Sequence, residues 1–331
     1  MAHEETSAEE RLIARYFRPL ATHPGALGLG DDAAVLTPRP GCDLVLTTDG
    51  VIAGVHFFPD DPPNTIGRKV LRMNLSDLAA KGAKPVGFLM SVALPAGVEE
   101  NWLAAFAAGI GEDSKRYDCP LLGGDTDRTA GPISVSIAAF GNVPQGKMVR
   151  RSTAKPGDCV VVTGTIGDAA LGVALRKDAG LADRLRLNET MRAHLNRRYL
   201  LPEPRNALAD AVLEYASAAM DVSDGLAGDL AKLCRASSVA AEVDVARVPL
   251  SDAARATLVA NSSLLETVLG GGDDYEIVLT LPPEKLGAFQ DAARGAGVAT
   301  AEVGRVKAGE GACFMRDGSP LAIARPSYSH F

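Results

Sequence analysis

The sequence has no excess of positive charge. Lys and Arg number 34 against 41 Asp and Glu, a formal net charge of -7. That balance excludes nucleic-acid binding through a broad basic surface. It leaves anionic small substrates open, because bound metal ions can invert the local charge. Cysteine is sparse. Cys42, Cys119, Cys159, Cys234 and Cys313 are odd in number, scattered, and never spaced CxxC. A disulfide framework or zinc site is not expected, and a reducing cytoplasm is the expected compartment. The start, MAHEETSAEERLIARYF, lacks the basic and apolar regions of a signal peptide, and no apolar run is long enough to span a bilayer. Aromatics make up only 5%, with Trp102 the single tryptophan. What remains, 47% hydrophobic and 23% charged residues over 331 positions, is ordinary globular usage in a chain long enough for two domains.

Ser7 and Glu10 have capping-box spacing before a short helix that turns Leu12, Ile13, Tyr16 and Phe17 inward. DLVLTTD (43–49) reads as a strand ending in hydroxyls and a carboxylate. Residues 65–82 read as a helix apolar on most faces, hence buried. Its stripe Ile66, Val70, Met73 continues into Asp77, and a buried carboxylate requires a partner. Residues 86–95 read as a strand and 98–117 as a helix with Trp102, Phe106 and Ile110 inward. A short strand, LLGGDTD, and an alternating one, PISVSIAAFGNV, follow. Turn residues cluster in RRSTAKPGD (150–158), which marks a domain boundary. Beyond it, CVVVTGTIGDAALGVAL reads as strand, turn and helix. AAMDVSDGLAGDLAKLC reads as a strand entering a helix, and GGGDDYEIVLT as a glycine turn entering a strand. Strands and helices mix without strict alternation, so the expected class is α+β. GLGDDAAVLT echoes GGGDDYEIVLT and TTDGVIAG echoes VSDGLAGD, in reversed order; related half-domains and reused turn chemistry both account for this.

Acidic turn motifs recur: GDD at 30–32, TTD at 47–49, SD at 76–77, GGDTD at 123–127, DVSD at 221–224 and GGDD at 271–274. Singly, each reads as a turn in which Asp bonds its own backbone. Together, several at strand ends and one inside a buried helix, they read as hard oxygen ligands suited to magnesium rather than zinc. Magnesium takes few carboxylates plus substrate phosphates, which points to phosphoryl transfer. GNVPQGKM (141–148) comes near a P-loop but has Met148 where the hydroxyl belongs and leads into a boundary loop, so it is a decoy. GTIGDAALG (164–172) reads as a structural strand–helix turn, with phosphate binding at the helix N-terminus the other reading. Arg150 and Arg151 suit a phosphate tail or are simply solvated. His56, in GVHFFP, is a packed core residue or a substrate contact. Tyr328 is terminal packing or a stacking platform.

Taken in order, GLGDDAAVL, TTDGVIAGVHF, NLSDLAAKGAKP, LLGGDTDR, RRSTAKPGD, VTGTIGDAALG, DVSDGL, GGDDYE and the terminal SYSHF resemble thiamine-monophosphate kinase, of the aminoimidazole-ribonucleotide-synthetase-like superfamily. The resemblance runs from about Leu12 to Phe331. It implies a two-domain α+β fold with mixed or antiparallel sheets flanked by helices. Residues 1–150 would form an N-terminal metal/ATP-binding and dimerisation domain, and 151–331 a C-terminal domain completing the active site. It further implies a homodimer, ATP as co-substrate, thiamine monophosphate as acceptor, and direct transfer assisted by several magnesium ions. Carried over by motif, the magnesium ligands are Asp32, Thr47, Thr48, Asp49, Asp77, Asp125, Asp221 and Asp224, with Asp49, Asp125 and Asp224 central to catalysis. The ATP contacts are Tyr117, Gly124, Asp125, Arg151 and Ser223. The substrate contacts are His56, Asp273 and Tyr328, the last stacking on a cationic ring.

The sequence departs from the family twice. Asp273 stands where a Glu is usual, which implies a substrate contact that is longer or bridged by water. Gly50 follows the TTD aspartate, which bears on loop rigidity. Rival readings have their own requirements. Selenophosphate synthetase needs a reactive Cys or selenocysteine in a glycine-rich N-terminal loop, and the hydrogenase-maturation relative needs a C-terminal Cys; neither is present. An aminoimidazole-ribonucleotide-synthetase-like ligase and a nucleotide- and metal-binding regulator without turnover are the alternatives.

Overall fold

The period-two segments of the first half assemble into one four-stranded sheet in the computed structural model, which describes residues 7–328. Strands β1 (Cys42–Ile52), β2 (Lys84–Pro95), β3 (Leu121–Thr129) and β4 (Ser134–Pro144) lie in the order β1-β4-β2-β3. β4 is antiparallel to both β1 and β2, and β2 runs parallel to β3. The described residues fall into two compact units. The first runs up to residue 78 and includes 84–146; the second holds 79–83 and the residues from 147 on.

In the first unit, α1 (Ala8–Leu12) opens on the expected capping box. The Ser7 hydroxyl accepts the Glu10 amide at 3.0 Å, and the Glu10 carboxylate accepts the Ser7 amide at 2.6 Å. α2 (Pro63–Ala80) starts two residues earlier than the periodicity suggests, because proline is at home in a first helical turn. Its residues Ile66, Val70, Leu71, Leu75 and Leu78 are buried, and so are Lys69, Arg72 and Asn74. Those polar groups are satisfied: Lys69 Nζ donates to the His56 carbonyl, Asn74 Nδ2 to the Val70 carbonyl, and Arg72 to Asp113. In α3 (Glu100–Arg116), Phe106 and Ile110 are fully buried and half-buried Trp102 stacks on Phe106 at 5.2 Å. One face of the sheet carries buried Val45, Val51, Met90, Val92, Val135 and Ile137, whereas Leu46 and Ile52 on the other are 63% and 38% exposed.

The second unit runs β5 (Cys159–Thr163), α4 (Asp168–Lys177), α5 (Leu181–Arg184), α6 (Glu189–Leu200), α7 (Ala209–Tyr215), β6 (Ala218–Asp221), α8 (Leu226–Ser237), β7 (Ala240–Asp244), α9 (Asp252–Ala260), α10 (Leu265–Gly270), β8 (Ile277–Leu281), α11 (Leu286–Gly295), β9 (Thr300–Lys307), β10 (Gly311–Arg316) and β11 (Ser319–Pro320). Its mixed sheet has the order β11-β10-β7-β9-β5-β8-β6. CVVVT and IVLTL, apolar except for Thr163 and Thr280, are buried along their whole length because both faces of β5 and β8 are covered. Alternation sends Val160, Val162 and Val278 into a core with α4 and α8. It sends Cys159, Val161, Ile277 and Leu279 into a second core with α7 and α11. The α+β class with mixed sheets flanked by helices is thus what the chain adopts. GNVPQGKM finishes β4 and runs on without a helix, as a decoy should. The internal echo is one of residues rather than elements: Thr47–Gly50 lie inside β1, while 222–225 leave β6 for α8. Of the terminal SYSHF motif, Ser329, His330 and Phe331 lie outside the described residues. All five cysteines are free, and among the described residues no helix is long and apolar enough to cross a membrane.

Candidate active site

Side chains alternate along β1, so Thr47 and Asp49 face α2 while Thr48 faces the other way. The Thr47 hydroxyl donates to Asp77 Oδ2 at 2.5 Å, which supplies the partner that a carboxylate in a buried stripe requires. The Asp49 amide donates to Asn74 Oδ1 at 3.0 Å. Two residues one α-helical turn apart on α2 therefore fix neighbouring residues of β1, and Thr47, Asp49 and Asp77 come together. Thr48 is not part of that group; its hydroxyl donates to the Ile137 carbonyl on β4 at 3.0 Å.

Asp125 is placed elsewhere in the same unit. The register runs Gly50 to Ser136, Ser136 to Ser91, and Ser91 to Asp125. Asp125 thus shares the outward face and lies three strand spacings from β1, about 14 Å at roughly 4.8 Å each. Beside it, a Cβ on Gly124 would fall 1.8 Å from the Met90 carbonyl oxygen, so only glycine lets β3 close on β2 here. In the GDD turn, Asp31 Oδ1 accepts the Asp32 amide at 2.8 Å while Asp32 projects into solvent. One carboxylate serves the turn and the other is presented. Among the described residues no basic side chain pairs with Asp32, Asp77 or Asp125.

His56 is half-buried, and its Nδ1 accepts the Ile52 amide at 3.0 Å, which puts the proton of the neutral ring on Nε2. Tyr117 follows the end of α3 with its ring under the Arg72 and Arg116 guanidinium groups, at 5.8 and 5.4 Å from the centroid. Arg72 is itself held by buried Asp113, Nε to Oδ2 at 2.5 Å and Nη2 to Oδ1 at 3.0 Å.

In the second unit the DVSDG and GGDDYE motifs meet through the backbone. The Asp273 amide donates to the Ser223 carbonyl, the Tyr275 amide to Val222, and the Val222 amide to Glu276, each at 2.8 Å. Gly272 makes this possible: its φ is +75°, and a Cβ there would fall 2.4 Å from the Ser223 carbonyl oxygen. Asp273 itself sits at φ +66°, a left-handed conformation that Asp tolerates better than most residues. The Tyr328 amide donates to the Asp224 carbonyl at 2.9 Å, and its ring is 47% exposed. Ser223, Asp224, Asp273 and Tyr328 are thereby gathered, with Asp221 buried at the end of β6 directly behind them. Arg151 lies in the exposed loop before β5, and its guanidinium forms no ion pair among the described residues.

Sequence reasoning missed the groups that hold this arrangement. Lys232 Nζ donates to Asp224 Oδ2 at 2.5 Å and to Asp229 Oδ1 at 2.8 Å. Burial opposes the Lys232 charge, but the two carboxylates outweigh it and hold the amine above the ordinary lysine range. Asp274 is buried, and both its oxygens accept the Gly167 amide at 2.9 Å. Burial pushes its carboxyl well above the ordinary range, against the pull of that amide and of Arg198. The GTIGD turn is consequently structural, its amide already occupied by a side chain of the same unit. Glu276, fully buried, accepts from Thr163 at 2.7 Å and pairs with Arg198 and Arg205. The signal for Asp274 and Glu276 was their place in GGDDYE, and for Lys232 its i+3 spacing from Asp229. Arg198 carried none.

The donors in both units are carboxylate and hydroxyl oxygens, the ligands of a hard cation. Among the described residues no three His, Cys, Asp or Glu side chains form a complete metal cage by themselves. The residues fit magnesium.

The chain matches the AIR synthase related protein N-terminal domain over residues 30–143 and the corresponding C-terminal domain over residues 155–315. It is 44% identical to a thiamine-monophosphate kinase of Caulobacter vibrioides over 324 residues, covering 96% of this chain and 89% of that relative. The crystal structure of thiamine-monophosphate kinase from Stenotrophomonas maltophilia K279a is 37% identical with a TM-score of 0.83, over 96% of this chain and 98% of that one. AaThiL, solved in complex with AMPPCP and TMP, is 31% identical with a TM-score of 0.76 over 91% of each chain. With both domains matched and such relatives aligned over nearly its whole length, the chain belongs to the thiamine-monophosphate kinase family of AIR synthase related proteins.

Proposed function

We propose that this chain transfers the γ-phosphoryl group of ATP directly to thiamine monophosphate, giving thiamine diphosphate and ADP. The observation that carries this reading is the meeting of DVSDG, GGDDYE and Tyr328 around one exposed point of the second unit. A relative with the same fold, AaThiL, binds AMPPCP and TMP.

The acceptor is a phosphate monoester with a second pKa of about 6, so it is already a dianion at neutral pH and needs no general base. The protein's task is to orient two anions in line and to balance their charge. In this reading Asp32, Thr47, Asp49 and Asp77 of the first unit and Asp221 and Asp224 of the second hold magnesium. Thr48 and Asp125, on the other face of the sheet, serve ions separate from that of the Thr47, Asp49 and Asp77 group. Magnesium held there neutralises charge on the transferring phosphoryl oxygens. Ser223, Gly124, Asp125 and Tyr117 meet ATP, and the Arg151 guanidinium suits a phosphate tail. His56 and Asp273 contact the acceptor, and the exposed Tyr328 ring suits a thiazolium cation. Residues 1–150 serve as the metal/ATP-binding and dimerisation domain, and 151–331 complete the site. Five free cysteines suit a reducing cytoplasm.

The test is direct. Purified protein with magnesium and ATP is expected to convert thiamine monophosphate to the diphosphate with one ADP per product. Folded protein that makes no diphosphate at any magnesium concentration overturns the reading. ADP formed only with formylglycinamidine ribonucleotide makes the chain a ligase. ATP binding without turnover of either acceptor makes it a regulator.

A homodimer is part of the proposal. Leu46, 63% exposed, pairs in register with Phe140, and Ile52 lies on the same outward face of the first unit's sheet. An apolar strip on an exposed sheet face marks an association surface. Leu46→Glu places a charge in it, and light scattering after size exclusion is expected to show the wild-type mass halved. A variant that keeps the wild-type dimer mass at micromolar concentration removes this face from the interface.

A further inference from the structure

Asp224 does not stand bare at the mouth of the DVSDG turn. Lys232, on the second turn of α8, reaches back to Asp224 Oδ2 at 2.5 Å and to Asp229 Oδ1 at 2.8 Å. Asp229 is fully buried, and its Oδ2 accepts the Asp224 amide at 2.9 Å. One buried carboxylate thus fixes the backbone of Asp224 directly and its side chain through lysine. The Lys232 and Asp224 side chains stay 33% and 36% exposed, so a ligand can reach the pair. Asp224 Oδ1 accepts no hydrogen bond among the described residues. Lys232 lies outside every motif on which the family resemblance rests.

From this geometry we infer that Lys232 is a positioning residue: it pins Oδ2 of Asp224, leaves Oδ1 as the oxygen presented to a cation, and sets how tightly that cation is held. The inference rests on the magnesium role proposed for Asp224. A single carboxylate then serves two cations, one covalently part of the chain and one exchangeable. The ammonium and the divalent ion share the carboxylate's charge and repel each other, at a strength reduced by solvent because the pair is a third exposed. Weak holding matters where an ion must enter with ATP and leave with ADP.

Manganese is the probe, because the free ion is counted by electron paramagnetic resonance. Titrated with Mn2+ in the absence of nucleotide, Lys232→Met is expected to bind about tenfold more tightly than wild type, the direction that removing a nearby positive charge dictates. Lys232→Arg, which keeps the charge, is expected to bind as wild type does. Unchanged or weaker binding by Lys232→Met overturns the inference. Should that variant melt early, Lys232→Gln takes its place with the same expectation. Asp224→Asn separates the two levels. If it leaves Mn2+ binding untouched, the metal role of Asp224 fails; if it weakens binding while neither neutral Lys232 variant tightens it, Lys232 alone is misassigned.

Discussion

Asp49→Asn is expected to lower kcat by about a thousandfold while leaving the melting temperature within about 2 °C of wild type. The two halves of that expectation have separate causes. Asp49 is half-buried on the α2-facing side of β1, beside the Thr47–Asp77 hydrogen bond. Its backbone amide, not its carboxylate, makes the bond to Asn74 that fixes the strand against the helix. Asparagine preserves the shape and that backbone bond, so the strand keeps its place. It removes a full negative charge from the group assigned to hold magnesium. A bound metal ion supplies several kcal/mol of charge stabilisation on a transferring phosphoryl group, and about 1.4 kcal/mol corresponds to each tenfold in rate. Steady-state ADP release measured across a magnesium titration, together with a thermal melt, reads both quantities. Wild-type turnover in this variant takes Asp49 out of the metal set. A large fall in stability would instead assign it a structural role.

The contrast between Asp49 and Asp125 shows how far the amino-acid order reaches. Both follow the same small-residue signature at strand positions, and nothing local distinguishes them. Their difference, opposite faces and opposite edges of one sheet, comes from the order β1-β4-β2-β3, a consequence of long-range pairing. Features set by neighbours in the chain were legible: the Ser7–Glu10 cap, the strands in CVVVT and EIVLT, the turn role of Asp31, and the demand of Asp77 for a partner. The partner's identity was not, because Thr47 lies 30 residues away. Lys232 illustrates an intermediate case. Its i+3 spacing from Asp229 follows from helix geometry, but its contact with Asp224 depends on where α8 begins and how the preceding turn folds back on it, which spacing alone does not fix. The GGDDYE motif was read for its first aspartate, and its other two acidic residues, Asp274 and Glu276, proved to carry the architecture.

That architecture yields the largest expected effect on stability. Glu276 is fully buried at the entry to β8, where its carboxylate accepts from Thr163 at 2.7 Å, Arg198 at 2.9 Å and Arg205 Nε at 2.6 Å. Arg198 is 3% exposed, so its charge has no recourse to solvent. Glu276→Ala takes the nearer carboxylate from that guanidinium and leaves it only Glu203 Oε2 at 3.5 Å; breaking a buried pair by removing one partner costs about 3–5 kcal/mol. For a unit of this size each kcal/mol moves Tm by roughly 2–4 °C, so calorimetry is expected to show a fall of about 10 °C. Thr163→Val is the graded control. It removes a hydroxyl that donates to Glu276 and accepts the Ile277 amide, at a cost of about 1–3 kcal/mol for the groups left unsatisfied. The ordering matters more than either number. If Thr163→Val destabilises more than Glu276→Ala, hydrogen bonding rather than ion pairing holds this strand entry. If neither moves Tm by more than about 2 °C, the network is dispensable to folding. Because the Glu276 carbonyl also accepts the Val222 amide, the same variant is expected to loosen the junction of DVSDG with GGDDYE. Hydrogen exchange at the Val222, Asp273 and Tyr275 amides should therefore quicken in Glu276→Ala under conditions where β6 stays protected, tying the stability of the buried pair to the site it underlies.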